Sequence, residues 1–121
     1  MPKNITKPIV LICGSKSIKD VNIRRFVRPT SCSAIVCSGI NGVDNASERF
    51  AKKYKLEFIA FLSNAKVFKD KADLMRDRDM VDFCDVCIAF WDGESDDIAD
   101  IVQYAIERKR QVIVHKIVNY D

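Results

Sequence analysis

Glycine, proline and histidine are scarce in this chain of 121 residues, which has 4 Gly, 3 Pro and 1 His. The low glycine and proline content excludes fibrous and low-complexity chains. A composition of 48% hydrophobic and 31% charged residues supplies enough apolar surface for one folded domain. No apolar run approaches the roughly 20 residues of a membrane-spanning helix, and the run at 8–13 lacks the features of a signal peptide. We therefore predict one cytoplasmic domain over residues 1–121, without a membrane partner.

The five cysteines are an odd number and lie within apolar runs. Both features argue against a disulfide framework and predict reduced, buried thiols. Cys84 and Cys87 form a C-x-x-C motif, but there is no second pair, and His115 is distant in sequence. We therefore favour a structural role for this pair over a zinc or redox site.

Charge is distributed unevenly along the chain, although the net charge is only +3. Residues 1–63 hold 11 Lys and Arg against 4 Asp and Glu, whereas residues 64–121 hold 9 against 13. This asymmetry favours an anionic ligand or partner at the basic half.

Short apolar runs alternate with amphipathic stretches along the whole sequence. The pattern predicts strands at 8–13, 34–37, 58–62, 86–91 and 112–118, helices at 21–27, 43–54, 74–83 and 98–106, and a surface loop at 65–71. Continuously apolar strands separated by helices predict an α/β fold, a Rossmann-like three-layer sandwich with a mostly parallel central sheet of about five strands. Because ligands of such sheets bind at the carboxyl ends of the strands, the residues that follow each strand are the candidate site.

The turn after the first strand contains Gly14, Ser15 and Lys16. A small turn with a hydroxyl and a cation is suited to binding a phosphate group. A solvated turn that leads into the next element is the alternative interpretation.

The turn after the second strand contains Ser38, Gly39 and Gly42 and leads to Asp44. Glycines three residues apart let the backbone turn sharply and approach a ligand closely. Asp44 either caps the helix that follows or accepts a hydrogen bond from a ribose hydroxyl.

Arg76 and Arg78 lie on the predicted helix before the fourth strand. Residues two apart on a helix point about 200° away from each other, so at most one of them faces the strand ends. We favour Arg76, and the alternative is that both arginines form surface ion pairs.

The turn after the fourth strand offers Trp91, Asp92, Gly93 and Ser95 as ligand contacts. It is also acidic, with five carboxylates within nine residues: Asp92, Glu94, Asp96, Asp97 and Asp100. Carboxylates stabilise a helix N-terminus but repel phosphate, so we expect no phosphate there. Trp91 either stacks on a base or fills the edge of the sheet.

Taken together, these four stretches resemble the SLOG superfamily, most closely its small bacterial and phage branch related to YspA. The branch has the order G-S-R, S-G-G-A-x-G-x-D, R-N-x-x-M and I-A-F-W-D-G-x-S-x-G-T. Here the matching segments are 14–16, 38–44, 76–80 and 88–95. The second segment also resembles DprA, and the arginine helix resembles LOG-type phosphoribohydrolases. The resemblance implies a Rossmann-like domain that binds a nucleotide or a nucleotide-derived signal, often as a homo-oligomer such as a homodimer.

Several family positions are occupied by other residues in this chain. Asp97 and Ile98 replace the Gly-Thr pair of the last motif, Asp73 replaces the glycine before the arginine helix, and Asp77 replaces the asparagine after the arginine. The position of the glutamate that LOG enzymes use in glycosidic cleavage is Ile101. These departures weaken the enzyme interpretation.

The leading hypothesis is binding of a nucleotide-derived small molecule in a shallow, positively lined cup at the strand ends, with no cofactor or metal assigned. The first alternative is a nucleoside 5'-monophosphate phosphoribohydrolase that uses Arg76 or Arg78 with Asp92 or Asp100 as the acid/base group. The second is a DprA-like DNA-associated module that uses the basic half. It is not favoured, because most aromatic residues occupy core-like positions.

Overall fold

The computed structural model describes residues 7–39 and 42–117, and these ranges contain five strands and four α-helices. The strands are β1 (Ile9–Gly14), β2 (Ala34–Cys37), β3 (Glu57–Ala60), β4 (Val86–Trp91) and β5 (Gln111–Lys116). The helices are α1 (Gly42–Lys53), α2 (Ala65–Phe68), α3 (Ala72–Phe83) and α4 (Asp96–Glu107). None of the described helices is long and apolar enough to cross a membrane.

All five strands are parallel, in the order β3-β2-β1-β4-β5. The middle strand is β1, where Leu11 pairs with Val36 on one side and with Cys87 on the other. The chain first builds outward from β1 to β2 and β3, and then returns to add β4 on the other side of β1. This reversal between β1 and β4 is the topological switch point, where parallel sheets open a crevice at their carboxyl ends.

Alternate side chains of β1 point to opposite faces of the sheet and join separate hydrophobic clusters. Val10 and Ile12 pack against the segment 15–33 and α1. Leu11 and Cys13 pack against α3 and α4. The first half of the chain therefore covers one face of the sheet and the second half covers the other, which confirms the predicted Rossmann-like three-layer sandwich.

The long helices bury apolar stripes at helical spacing. In α4, Ile98, Ile101 and Ala105 are buried and lie on one face of the helix. In α1, the buried residues include Val43 and Phe50, seven residues apart. Each large side chain of this kind contributes about 1.5–3 kcal/mol when it is buried, and this burial fixes the ends of α1 and α4 near the strand ends.

Two of the predicted segments have a different secondary structure from the one expected, the predicted strand 58–62 ends earlier, at Ala60, and the last residue of the predicted strand 112–118 lies outside the described residues. The predicted helix at 21–27 is replaced by two 3₁₀ turns, Ile23–Arg25 and Pro29–Ser31. Pro29 holds Arg28 in an extended conformation, with φ −89° and ψ 123°, and the β-branched residues before it favour helix only weakly. The predicted loop at 65–71 instead forms the short helix α2 and a 3₁₀ turn, Lys69–Lys71.

All five cysteines are buried free thiols, as the sequence predicts. Cys84 and Cys87 both lie in the core between the sheet and the α3–α4 layer. Burial raises the pKa of the Cys84 thiol to about 12, which leaves it protonated at neutral pH and unsuited to redox chemistry.

Candidate functional site

A crevice of about 440 Å³ opens at the switch point between β1 and β4. The loop after β1, helix α3 and the start of α4 each form part of its wall. Its lining residues are Lys16, Asp73, Arg76, Asp77, Ser95, Asp96 and Asp97. We call this volume the switch-point crevice.

A narrow extension of about 30 Å³ continues beneath the switch-point crevice towards the strand ends. It shares Lys16, Arg76, Asp77 and Asp97 with the wider part. Its further lining residues are Cys13, Gly14, Ser38, Asp44, Met80, Ile98 and Ile101. The ends of β1 and β2 thus meet α3 and α4 at one place, as a ligand site at this rim requires.

Arg76 is the nearly buried cation of the switch-point crevice, with 9% of its surface exposed. It lies on the inner face of α3 because Ala72 and Met80, four residues before and after it, are core residues. Its Nη2 lies 3.0 Å from Oδ1 of Asp77, and its Nε donates to the same oxygen at 3.1 Å. Its Nη1 lies 3.6 Å from the exposed carboxylate of Asp73.

Asp77 is the buried carboxylate beside Arg76, with 9% of its surface exposed. Burial raises the pKa of this carboxyl, and the favourable effect of Arg76 only partly opposes the rise. The Asp77 carboxyl is therefore harder to ionise than a free one, in spite of the adjacent guanidinium.

The lining of the crevice and its extension is more acidic than the sequence suggests. Lys16 and Arg76 are its two cations, against five carboxylates: Asp44, Asp73, Asp77, Asp96 and Asp97. The expectation of a positively lined cup is therefore wrong. That expectation rested on the basic first half of the chain, but among the described cations of that half only Lys16 lines this volume. At the start of α4, Oδ1 of Asp97 accepts the N–H of Ile98 at 2.9 Å, so a carboxylate already occupies part of that helix N-terminus.

Ser15 is fully buried and ties β1 to β4 rather than facing the crevice. Its N–H donates to the carbonyl of Phe90 at 3.0 Å, and its Oγ accepts the N–H of Asp92 at 3.0 Å. Of the three residues proposed in this turn, Lys16 is the one whose side chain reaches the wide part of the crevice.

The glycines of the first two turns are explained by packing within the protein. A Cβ atom at Gly14 would overlap the side chain of Val43, and one at Gly42 would overlap the carbonyl oxygen of Lys19. Gly39 has a φ of +79°, a conformation that favours glycine. Gly14 and Gly42 therefore let α1 approach the end of β1 and the loop after it, and Gly39 permits the turn after β2, so none of these glycines requires a ligand.

Asp44 and Ser38 line the extension of the crevice as neighbours. Asp44 is only 2% exposed, and its Oδ2 accepts the hydroxyl of Ser38 at 2.5 Å. This contact joins the end of β2 to the first turn of α1. It favours a structural role for Asp44 over contact with a ribose.

The loop after β4 is held together by Asp92. Its carboxylate accepts hydrogen bonds from the Ser17 hydroxyl at 2.7 Å, from the N–H groups of Glu94 and Ser95, and from the Ser95 hydroxyl. The Ser17 hydroxyl and the two backbone donors hold the pKa of this carboxyl well below its usual range. Asp92 is therefore a poor general acid, contrary to its place in the phosphoribohydrolase alternative.

Trp91 and Gly93 are turned away from the crevice. The indole N–H of Trp91 donates to the carbonyl of Ser95 at 3.0 Å, and its ring lines a separate apolar hollow between α4 and β5. Gly93 has a φ of +90° and packs close to the side chain of Lys116. Of the four residues proposed in this loop, only Ser95 lines the crevice.

Arg78 lies on the outer face of the α3–α4 layer. Its guanidinium sits 4.4 Å from the centre of the Tyr104 ring, and its Nη2 lies 3.8 Å from Oδ1 of Asp100. Arg78 and Asp100 therefore form a surface contact between α3 and α4, and neither lines the crevice. This placement removes Asp100 from the phosphoribohydrolase alternative as well.

Asp73 and Asp77 line the crevice, although the sequence identifies them only as departures from a family pattern. The stripe of α3 that contains Ala72, Arg76 and Met80 is the signal that could have placed Asp77 next to the sheet. Among the described residues, no group of three or more His, Cys, Asp or Glu side chains is arranged to hold a metal ion.

Comparisons with protein-family models, with curated proteins and with solved structures give no match for this chain. The resemblance to the SLOG superfamily accordingly stays a prediction.

Proposed function

We propose that the switch-point crevice binds a nucleotide or a nucleotide-derived small ligand. The observation that carries this proposal is the position of Arg76, a nearly buried cation facing a volume of about 440 Å³ at the switch point of a parallel sheet. Switch points are the usual ligand sites of such sheets, and small-molecule sites commonly have volumes of about 300–1,000 Å³.

The charges in the crevice limit which nucleotides it accepts. Arg76 and Lys16 supply two cations for a phosphate, while Asp77 and Asp97 can accept hydrogen bonds from ribose hydroxyls or from the amino group of a base. Because five carboxylates line the crevice and its extension, each further phosphate adds repulsion. We therefore expect a monophosphate or a cyclic nucleotide to bind more tightly than a triphosphate.

Thermal-shift screening of nucleoside mono-, di- and triphosphates and of cyclic nucleotides tests this proposal. A ligand at about 100 times its Kd stabilises the folded chain by about 2.7 kcal/mol, which raises the Tm by several degrees. Lys16→Ala and Arg76→Gln should weaken binding about tenfold or more, since each removes a cation from the crevice. Lys16 is exposed, so its variant tests binding even if the Arg76 variant unfolds.

Arg78→Gln is the matched control, because it removes the same charge from the same helix on the face that the crevice does not use. It should bind the ligand as the unmodified chain does. A panel in which no nucleotide raises the Tm, or equal losses in the Arg76 and Arg78 variants, would contradict the proposal.

Glycosidic cleavage is the second candidate, and the raised pKa of Asp77 beside Arg76 is the observation that favours it. With Asp92 held by its own loop and Asp100 outside the crevice, Asp77 is the carboxyl that would act as the acid. Chromatography of the same ligand mixtures for released free base distinguishes cleavage from binding.

The cytoplasmic location predicted from the sequence and the homo-oligomer that the resemblance implies stay predictions.

A further inference from the structure

A second groove, of about 420 Å³, lies between the loop after β1 and helix α1. It is separate from the switch-point crevice, with which it shares no lining residue. Its lining residues are Asp20, Val21, Asn22, Ile23, Arg24, Ala46, Arg49, Phe50, Lys53 and Tyr54. We call it the α1 groove.

The face of the sheet that carries the α1 groove is covered by the more basic part of the chain. Residues 19–55, which include the layer over this face, hold 8 Lys and Arg against 3 Asp and Glu. Residues 64–110, which include the layer over the opposite face, hold 8 against 12. The charge asymmetry between the two halves of the sequence is thus an asymmetry between the two faces of the molecule.

The α1 groove has a cationic rim and an apolar floor. Arg24, Arg49 and Lys53 are exposed, and Ile23 and Phe50 are buried beneath them. Arg49 and Lys53 are four residues apart on α1, which places them on one face and about 6 Å apart along the helix axis.

The α1 groove also contains one acidic side chain, which neutralises one of its cations, and a tyrosine. Asp20 is the acid among its lining residues, and its carboxylate pairs with Arg49 at 2.7 Å. Tyr54 also lines the groove, with its ring 5.1 Å from that of Phe50 and the Nζ of Lys53 5.5 Å from its centre. Arg24 and Lys53 are therefore the rim cations that remain to meet an anion.

We propose that the α1 groove binds the phosphate backbone of a nucleic acid. A linear polyanion fits better than a single small anion, because the segment 19–55 carries further exposed cations outside the groove lining: Lys19, Arg25, Arg28 and Lys55. Lys52 is also exposed, but it pairs with Glu48 at 3.2 Å. Binding to successive phosphates requires cations but few contacts to the edges of the bases. The half-buried ring of Tyr54 offers a stacking surface for a base. This function does not depend on the ligand proposed for the crevice.

Fluorescence anisotropy of a labelled oligonucleotide, single-stranded and as a duplex, tests the proposal across a salt series. For a single strand that contacts three cations, log K should fall with log salt with a slope of about −2, which is roughly a 20-fold loss between 50 and 200 mM. Arg24→Ala and Lys53→Ala should each make the slope shallower by about 0.7 for a single strand or about 0.9 for a duplex.

Lys66→Ala is the matched control, since it removes the same charge from an exposed position on α2, away from the groove. Lys16→Ala should leave oligonucleotide affinity unchanged, which separates this proposal from the crevice ligand. Absence of binding at 50 mM salt, or equal losses in Lys66→Ala and Lys53→Ala, would overturn it. So would salt-sensitive self-association that the Arg24 and Lys53 variants abolish while oligonucleotides do not bind, because the groove would then serve a protein partner.

Discussion

The ionised carboxylate of Asp92 stabilises the fold through its hydrogen bonds. Its carboxylate accepts four hydrogen bonds that tie the loop after β4 to the loop after β1, and these donors hold its pKa below the ordinary value of 3.8. An acid with a lowered pKa in the folded state contributes stability above its unfolded pKa and loses it as the pH falls below that value. Asp92→Asn should therefore lower the Tm at pH 7 by a few degrees, and the difference from the unmodified chain should shrink between pH 5 and pH 3.

Circular dichroism during heating, repeated across this pH range, measures the difference. Glu94→Gln is the control, since Glu94 is an exposed acid of the same loop and its replacement should change the Tm little at any pH. A difference for Asp92→Asn that persists unchanged at pH 3 would mean that its charge does not stabilise the loop.

Single residues also show why the crevice was only partly predictable. Helical spacing predicts that Arg76 and Arg78 point in different directions, and the structure places Arg76 in the crevice and Arg78 against α4. Spacing alone does not say which of the two faces the strand ends. Ser15 and Trp91 have residue types that suit a ligand, yet their polar atoms bond to the backbone of β4 and of the loop after it. The sequence identifies which segments come near the rim, whereas partners of individual polar atoms depend on the tertiary packing.

At the scale of elements, Gly42 marks the contact between α1 and the loop after β1. A Cβ atom there would overlap the carbonyl of Lys19, and backbone atoms cannot move aside as a flexible side chain can. Gly42→Ala should therefore destabilise the chain by about 1–3 kcal/mol, the usual cost of overpacking. Urea unfolding measures the loss, and Asn45→Ala, an exposed change in the first turn of the same helix, should stay within about 0.5 kcal/mol. If Gly42→Ala left the free energy of unfolding unchanged, the loop after β1 would be able to move aside without loss of stability.

The same loop shows where the prediction of elements failed. Strands and the long helices were predictable because their apolar periodicity is set by burial against one sheet. Residues 15–33 also bury apolar side chains, namely Ile18, Ile23, Val27 and Cys32. They do so as turns, since Pro29 and the β-branched residues oppose a helix. Periodicity over so few residues cannot distinguish these two ways of covering a sheet.

At the scale of the whole molecule, the two hydrophobic clusters share one sheet and should unfold together. Ile12 is fully buried in the cluster beneath α1, whereas Trp91, the single tryptophan, packs against the cluster beneath α3 and α4. Ile12→Ala should destabilise the chain by about 2–5 kcal/mol. Because β1 contributes alternate residues to both clusters, the lower stability of Ile12→Ala should also lower the urea midpoint of the face covered by α3 and α4, by the same amount.

Urea unfolding followed by Trp91 fluorescence and by far-UV circular dichroism tests this coupling. Both midpoints should shift by the same amount in Ile12→Ala, and neither should shift in Leu62→Ala, whose side chain is 81% exposed. A Trp91 transition that stays in place while the circular dichroism transition moves would mean that the α3–α4 layer is stable without the α1 layer. The basic and acidic faces would then belong to separately folding units, and the charge asymmetry of the sequence would reflect two units rather than two sides of one sheet.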